Sequence, residues 1–325
     1  MKQIASLSLD LDNKWSYMKT HGDAGWDSFP SYLDVVVPRF LDFLAERDLN
    51  ITVFIVGQDA ALDKNHEALQ RIPAAGHEVG NHSFNHEPWL HLYSLPKIDE
   101  EFARTEDALM RATGEKPTGF RGPGFSLSPD VLTVLKRRGY EYDCSTFPTF
   151  LGPLARLYYF FTAKLDAEQK KERKKLFGTI GEVFRPLRPY HWTLDEGQLL
   201  EIPVTTMPLF KVPIHVSYLL YLDQYSRGLA MTYWRMALTL CRAMRVAPSL
   251  LLHPLDFMGK DDDADGSLSF FPAMKDDSTR KIELVGKAID LMTRYYEVGP
   301  MRDHALAANA KLGVKTPAQT ELAHA

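Results

Sequence analysis

Ile4-Ala5-Ser6-Leu7-Ser8-Leu9-Asp10-Leu11-Asp12 alternates apolar with small polar residues and ends in two aspartates. A period of two marks a strand with unlike faces, and the carboxyl ends of strands in parallel α/β sheets are where ligands bind. Working outward from this first strand (Ile4 to Leu9), six more short runs read as strands: Ile51 to Val56, Glu78 to Gly80, Thr118 to Phe120, Glu141 to Asp143, Leu200 to Val204 and Ser249 to Leu252. Segments of helical period separate them. Arg39 to Arg47 places Phe40, Leu41, Phe43 and Leu44 on one face behind Pro38, while Ser128-Pro129 opens a second helix that Gly139 closes. This alternation predicts an α/β fold with a parallel sheet wrapped by helices.

The alternation breaks between residues 148 and 198. There an aromatic run, Leu157 to Phe161, precedes a basic run, Lys170 to Lys175, and a proline-rich loop through Tyr190. We read the segment as an insertion after the fifth strand, within a single domain over residues 1–300 that is followed by a loosely held tail, 301–325. Of the 325 residues 45% are hydrophobic and 25% charged, which excludes wholesale disorder. With 38 Lys and Arg against 42 Asp and Glu, the net charge of −4 disfavours nucleic acid as a partner. No apolar run reaches the roughly 20 residues that span a bilayer, and no secretion-signal pattern opens the chain. Cys144 and Cys241 lie far apart and form no metal-type pair. A cytoplasmic protein is the expectation, with peripheral membrane contact left open by the aromatic and basic insertion.

Polar residues end several of the apolar strands: Asp10 and Asp12 the first, Asp143 the fifth. His82 and His86 follow the third strand, Arg121 the fourth and His253 the last. Each alone also fits a structural role, as a loop cap, a surface ion-pair partner or a satisfied core histidine. Together they are expected to share one mouth. His82 and His86 are four apart, so on a helical turn both rings face one way and can bind one cation. Asp12 supplies the carboxylate for an open three-ligand site, the usual form of a hydrolytic metal centre. Asp10, two residues away on a continuing strand, faces the same side and remains free to accept a proton. Arg121 can hold Asp10 ionised, and His253, from the opposite wall, can protonate a leaving group.

Two other motifs fail. No glutamate directly follows His82, and His86-Glu87 is followed by His91 at the wrong interval with Pro88 between, so a zincin protease is disfavoured. Asp261 to Gly266 begins like a calcium loop, yet its twelfth position is Pro272.

The ordered set resembles the NodB-type polysaccharide deacetylases, carbohydrate esterase family 4, from residue 4 to about residue 257. Ser8-Leu9-Asp10-Leu11-Asp12-Asn13 resembles the first motif, with one residue between aspartates that are usually adjacent, as in the ArnD-like branch. His82-Ser83-Phe84-Asn85-His86 matches His-Ser/Thr-x-x-His. Arg121-Gly122-Pro123-Gly124-Phe125 matches the third motif, and Leu251-Leu252-His253 the fifth. Tyr142-Asp143-Cys144-Ser145 keeps the fourth motif's strand-end aspartate without its tryptophan.

The resemblance implies an incomplete (β/α)7 barrel. It makes Asp10 the base, Asp12, His82 and His86 the ligands of one divalent ion, Gly124 N–H an oxyanion contact and His253 the general acid. It leaves Asp143 in the set without a defined part. Zinc is the first candidate metal, with cobalt, nickel and iron also suited to N/O ligands. The implied reaction removes an N-acyl group, acetyl or formyl, from an amino sugar that is lipid-linked or part of a polysaccharide. A cyclic-amide or ureide hydrolase like allantoinase and a non-catalytic carbohydrate- or lipid-binding module are the rival readings.

Overall fold

A computed structural model of the chain describes residues 2–150, 183–263 and 265–313. The runs Leu157 to Phe161 and Lys170 to Lys175 lie outside the described residues. The strands are β1 (Gln3–Leu11), β2 (Thr52–Ile55), β3 (Glu78–Asn81), β4 (Gly119–Phe120), β5 (Tyr142–Asp143), β6 (Tyr190–Leu194), β7 (Gly197–Glu201), β8 (Ser249–Leu252) and β9 (Tyr296–Gly299). The helices are α1 (Lys14–His21), α2 (Leu33–Ala45), α3 (Gly57–Ala60), α4 (His66–Ala74), α5 (Leu95–Thr113), α6 (Pro129–Arg137), α7 (Val216–Asp223), α8 (Arg227–Ala243), α9 (Ser278–Tyr295) and α10 (Met301–Leu312).

All seven expected strands form, and they run parallel in the order β7-β5-β4-β3-β2-β1-β8. The barrel is incomplete, as expected. Its two ends meet through Thr205, whose N–H donates to Ser249 O (3.1 Å) and whose Oγ1 accepts from Ser249 N–H (2.8 Å).

Alternation along β1 sorts its residues. Leu7, Leu9 and Leu11 join the outer core under the helices, while Ser6, Ser8 and Asp10 face the barrel interior. That interior is filled by Phe54, Tyr142, Cys144, Leu200 and Ile202. Glycines make the room: a Cβ on Gly80 would lie 2.4 Å from the Phe54 ring, and one on Gly119 would lie 2.1 Å from Tyr142.

The structure corrects four expectations. First, the sixth strand is β7, three residues earlier than Leu200 to Val204, because β6 pairs antiparallel with it and the hairpin turns at Gly197, φ +117°. Residues 190–198 therefore belong to the sheet and not to an insertion. Second, α2 begins at Leu33, with Pro38 inside it and not at its start. The missing N–H removes only a bond to the first-turn carbonyl of Asp34.

Third, the expected tail begins with an ordered helix, α10. Its Met301, His304, Ala305 and Ala308 are buried at helical spacing, and the three apolar residues join the interior cluster. Residues 314–325 lie outside the described residues. Fourth, β9 was not expected. It pairs with the amino half of β1 on the edge that β2 occupies further along, since Ser6 faces both Gly299 and Ser249. The α6 expectation holds, with Ser128 Oγ accepting from Val131 N–H at 3.3 Å and Gly139 at φ +83° beyond the helix.

Candidate metal centre

Asp10 closes the interior face of β1, one step beyond Ser8. Across the sheet lies Arg121, whose side chain is fully buried. Its Nη2 donates to Ser8 Oγ (3.2 Å), its Nε to Cys144 Sγ (3.4 Å), and its Nη1 stands 3.6 Å from Asp10 Oδ1. Burial would lower the guanidinium, but Asp10 together with Cys144 and Asp143 outweighs it and raises Arg121 above its ordinary value. This is the ion pair expected from the sequence.

Asp12 does not continue the strand as expected. Its N–H bonds back to Asp10 O (2.9 Å), turning the chain, and Tyr32 Oη donates to the Asp12 carbonyl. Asn13 then caps α1 with its side chain accepting from Lys14 N–H. The turn puts Asp12 Oδ1 2.8 Å from His86 Nε2 and 3.3 Å from His82 Nε2.

Neither histidine sits on a helical turn. The segment from His82 to His86 is irregular, with Ser83 at φ +60° and His86 at φ +52°, and these left-handed residues bring the two rings to 5.0 Å between centroids. Glu101 on α5 holds the loop, its Oε2 accepting from Phe84 N–H (3.1 Å) and Asn85 N–H (3.0 Å).

The donor set fits a divalent cation. One ligand atom each from Asp12, His82 and His86 falls within 4.8 Å of the others. His82 Nδ1 donates to the Arg121 carbonyl (2.7 Å), which leaves Nε2 for the cluster, the orientation that metal-binding histidines take. Burial would raise the Asp12 carboxyl, but the charges of His86 and His82 prevail and hold it well below the usual range. Burial would likewise lower His82, yet Asp10 and Asp12 raise it. Aspartate and imidazole donors suit zinc and its first-row neighbours.

His253 follows β8, and the register Leu9↔Leu252 sets it level with Asp10 on the neighbouring strand. Gly124 occupies the short turn Pro123–Phe125 at φ +57°, where a Cβ would come within 3.2 Å of Pro88.

Asp143 stands apart from the ligand cluster. Alternation points it to the face opposite Tyr142 and Cys144, beside Glu201 of β7. Its Oδ1 accepts from Ser145 Oγ–H (2.6 Å), and Ser145 Oγ in turn accepts from Gly122 N–H (2.8 Å). Asp143 thus braces the backbone that carries Arg121. Burial raises both carboxyls, and the neighbouring Asp143 charge lifts Glu201 further, well above its ordinary value.

Sequence reasoning missed Glu201, His215, Ser217 and Asp256. His215 lies before α7 with its ring 6.0 Å from that of His253, and burial, then the charges of His253 and Arg121, push it well below the usual histidine value. The polar residues around an otherwise apolar α7 were the available signal.

Residues 23–142 match the polysaccharide deacetylase family. The matched residues include His82, His86, Arg121 and Gly124, while Asp10, Asp12, Asp143 and His253 fall outside them. The chain is similar to a peptidoglycan deacetylase of Helicobacter pylori, 28% identical over 165 residues that cover 50% of this chain and 55% of that protein. It therefore spans about half the length of that relative.

Its fold resembles a Mycobacterium smegmatis crystal structure assigned to the polysaccharide deacetylases, with TM-score 0.62, 19% identity and coverage of 97% of this chain and 92% of the other. An allantoinase structure shares the fold at TM-score 0.56 and 16% identity, covering 95% and 91%. The expected NodB-type half-barrel is thereby established. No helix among the described residues is long and apolar enough to cross a membrane.

Proposed function

We propose that this chain is a metal-dependent hydrolase that removes the N-acetyl group from an amino sugar within a glycan. The observation that carries the reading is the convergence of Asp12, His82 and His86 beside the buried Asp10–Arg121 pair at one end of the sheet. The family match and the peptidoglycan deacetylase relative support the substrate class.

Asp12 Oδ1 and the Nε2 atoms of His82 and His86 would hold a divalent ion, zinc first, which when bound supplies Lewis acidity to the acyl carbonyl. Asp10, 3.6 Å from Arg121 Nη1, takes a proton from the attacking water on its carboxylate. The Gly124 N–H donates toward the oxygen on which negative charge develops. His253 gives the proton from its Nε2 to the departing amine nitrogen as the C–N bond breaks. Asp143 acts at one remove, through Ser145 and Gly122, by fixing the Arg121 loop.

A lipid-linked sugar, N-acetylated or N-formylated, is the narrower reading. The aromatic and basic composition between Leu154 and Lys175 supports it. The two buried thiols, Cys144 and Cys241, suit a reducing, cytoplasmic compartment.

The test is elemental analysis after chelation and reconstitution with zinc, cobalt, nickel or iron, followed by acetate release from N-acetylglucosamine oligomers and peptidoglycan. About one ion per chain, absent from His86→Ala, together with acetate release is expected. Turnover of allantoin without acetate release, or glycan binding with neither metal nor turnover, would overturn the reading.

A further inference from the structure

We propose that Ser217 and Asp256 are positioning residues that hold the His253 ring and its Nδ1 proton, leaving Nε2 as the nitrogen that exchanges protons with substrate. This deepens the reading of His253 as general acid and rests on it.

The geometry comes from one short turn and one helix. His253 leaves β8 in an extended conformation, φ −128° and ψ 158°, and Pro254–Asp256 form a single 3₁₀ turn behind it. Asp256 is fully buried. Its Oδ2 accepts from the His253 backbone N–H at 2.8 Å, and its Oδ1 accepts from Ser217 Oγ–H at 2.8 Å. Ser217 Oγ lies 3.3 Å from His253 Nδ1. With its own proton committed to Asp256, Ser217 Oγ has lone pairs left for the ring.

In the imidazolium form Nδ1–H can only donate, and Ser217 Oγ is its acceptor, so the Asp256 charge reaches the ring through one hydroxyl. Transfer then breaks Nε2–H and forms the amine N–H. The electron pair stays on Nε2, and the Nδ1 proton stays in place. The Asp256 backbone N–H also donates to the His253 side chain, a bond that favours the opposite neutral tautomer and competes with Ser217 Oγ for the ring. The two arrangements make different measurable species.

The charged and titratable groups near His253 come from several elements. His215, just before α7, faces it with its own ring edge-on to Tyr218, and burial keeps His215 neutral. Lys281 of α9 lies behind Asp256, donating to Leu255 O (2.5 Å), and Asp10 stands level on β1. Asp143, the aspartate that the sequence associates with this end of the sheet, is occupied with Ser145 beside Glu201. Asp256 is the carboxylate that the hydrogen bonds connect to His253.

The experiment is long-range proton–nitrogen NMR of the histidine-labelled full chain across pH, beside pH–rate profiles, for the native protein, Ser217→Ala, Ser217→Thr and Asp256→Asn. The native neutral ring is expected to carry its proton on Nδ1. Ser217→Ala is expected to mix the tautomers, move the alkaline fall in kcat to lower pH and reduce kcat about tenfold with KM unchanged. Ser217→Thr, which keeps the hydroxyl, restores all of these.

Asp256→Asn should act like Ser217→Ala, and because Asp256 also braces the turn, Ser217→Ala decides should that variant fail to fold. A native Nε2–H tautomer, or a ring signal indifferent to Ser217→Ala, would overturn the proposal. A shifted ring signal with unchanged turnover would leave the relay standing and sink the general-acid reading instead.

Discussion

At the amino end of the sheet, the buried Glu78 has both carboxylate oxygens matched: Oε2 accepts from Thr52 Oγ1 (2.5 Å) and Arg302 N–H (3.1 Å), and Oε1 from Tyr142 Oη (2.9 Å). At the carboxyl end, Asp10 Oδ1, Asp12 Oδ1 and Arg121 Nη1 are equally buried, yet they make close charge contacts without a hydrogen bond, and His86 Nδ1 has no partner among the described residues. Both ends hold buried charge, but only the first satisfies it internally. Buried polar groups are normally hydrogen-bonded, so the exceptions gathered at one end of one barrel mark where chemistry is to be done. The amino end is built for stability.

Substitutions at each end should therefore separate activity from stability. The largest expected effect is at the carboxyl end: Asp10→Asn or His253→Ala should lower turnover about 10²- to 10⁴-fold with metal uptake intact. Near-native turnover in both, measured on metal-reconstituted protein, would remove the distinction between the ends.

Thr52→Val is the converse, removing one of the two donors to Glu78 Oε2 and stranding the Met301 N–H that Thr52 Oγ1 accepts at 2.7 Å. We expect a loss of about 1–3 kcal/mol in urea denaturation and unchanged turnover per folded molecule. A comparable fall in kcat would show that the two ends are coupled.

Acid sharpens the contrast. Burial pushes His304, bonded to Ser6, down to about 4, so the unfolded chain binds its proton near 6.5 while the folded chain does not. The unfolded state holds more protons between these values, and stability is lost as pH falls through that window. The loss from this group is roughly 2 kcal/mol by pH 5. His304→Gln should flatten the fall in the urea midpoint between pH 7 and pH 5, and an unaltered slope would contradict the assignment.

Smallest is Ser128→Ala, remote from both ends, which removes the cap of α6 for a cost of about 1 kcal/mol in thermal denaturation without effect on activity.

Much of the fold was legible because strand and helix periods are local: β1 to β5 and β8 lie where alternation and β-branched runs place them. β6, β9 and α10 were not, since their weak patterns gain meaning only against partners far along the chain. α10 reads as an Ala-rich polar tail until Met301, Ala305 and Ala308 meet the barrel interior. The site shows the same division. His82, His86, Asp12, Asp10 and Arg121 stood out as polar residues closing apolar strands. Ser217 and Asp256 did not, because a serine on a helix and an aspartate in a turn are ordinary until folding sets them beside His253.

The sequence by itself determined the order of strands, the residue types at their carboxyl ends and the family resemblance, because these follow from period and spacing. Only the tertiary structure decided that Asp12 leaves the strand, that left-handed residues converge the two histidine rings, and that Asp143 faces Glu201. The turn at Asp12, the loop from Ser83 to His86 and the buried carboxyl pair are each fixed by contacts between residues distant in sequence, whose hydrogen bonds and charge set geometry that no local pattern encodes.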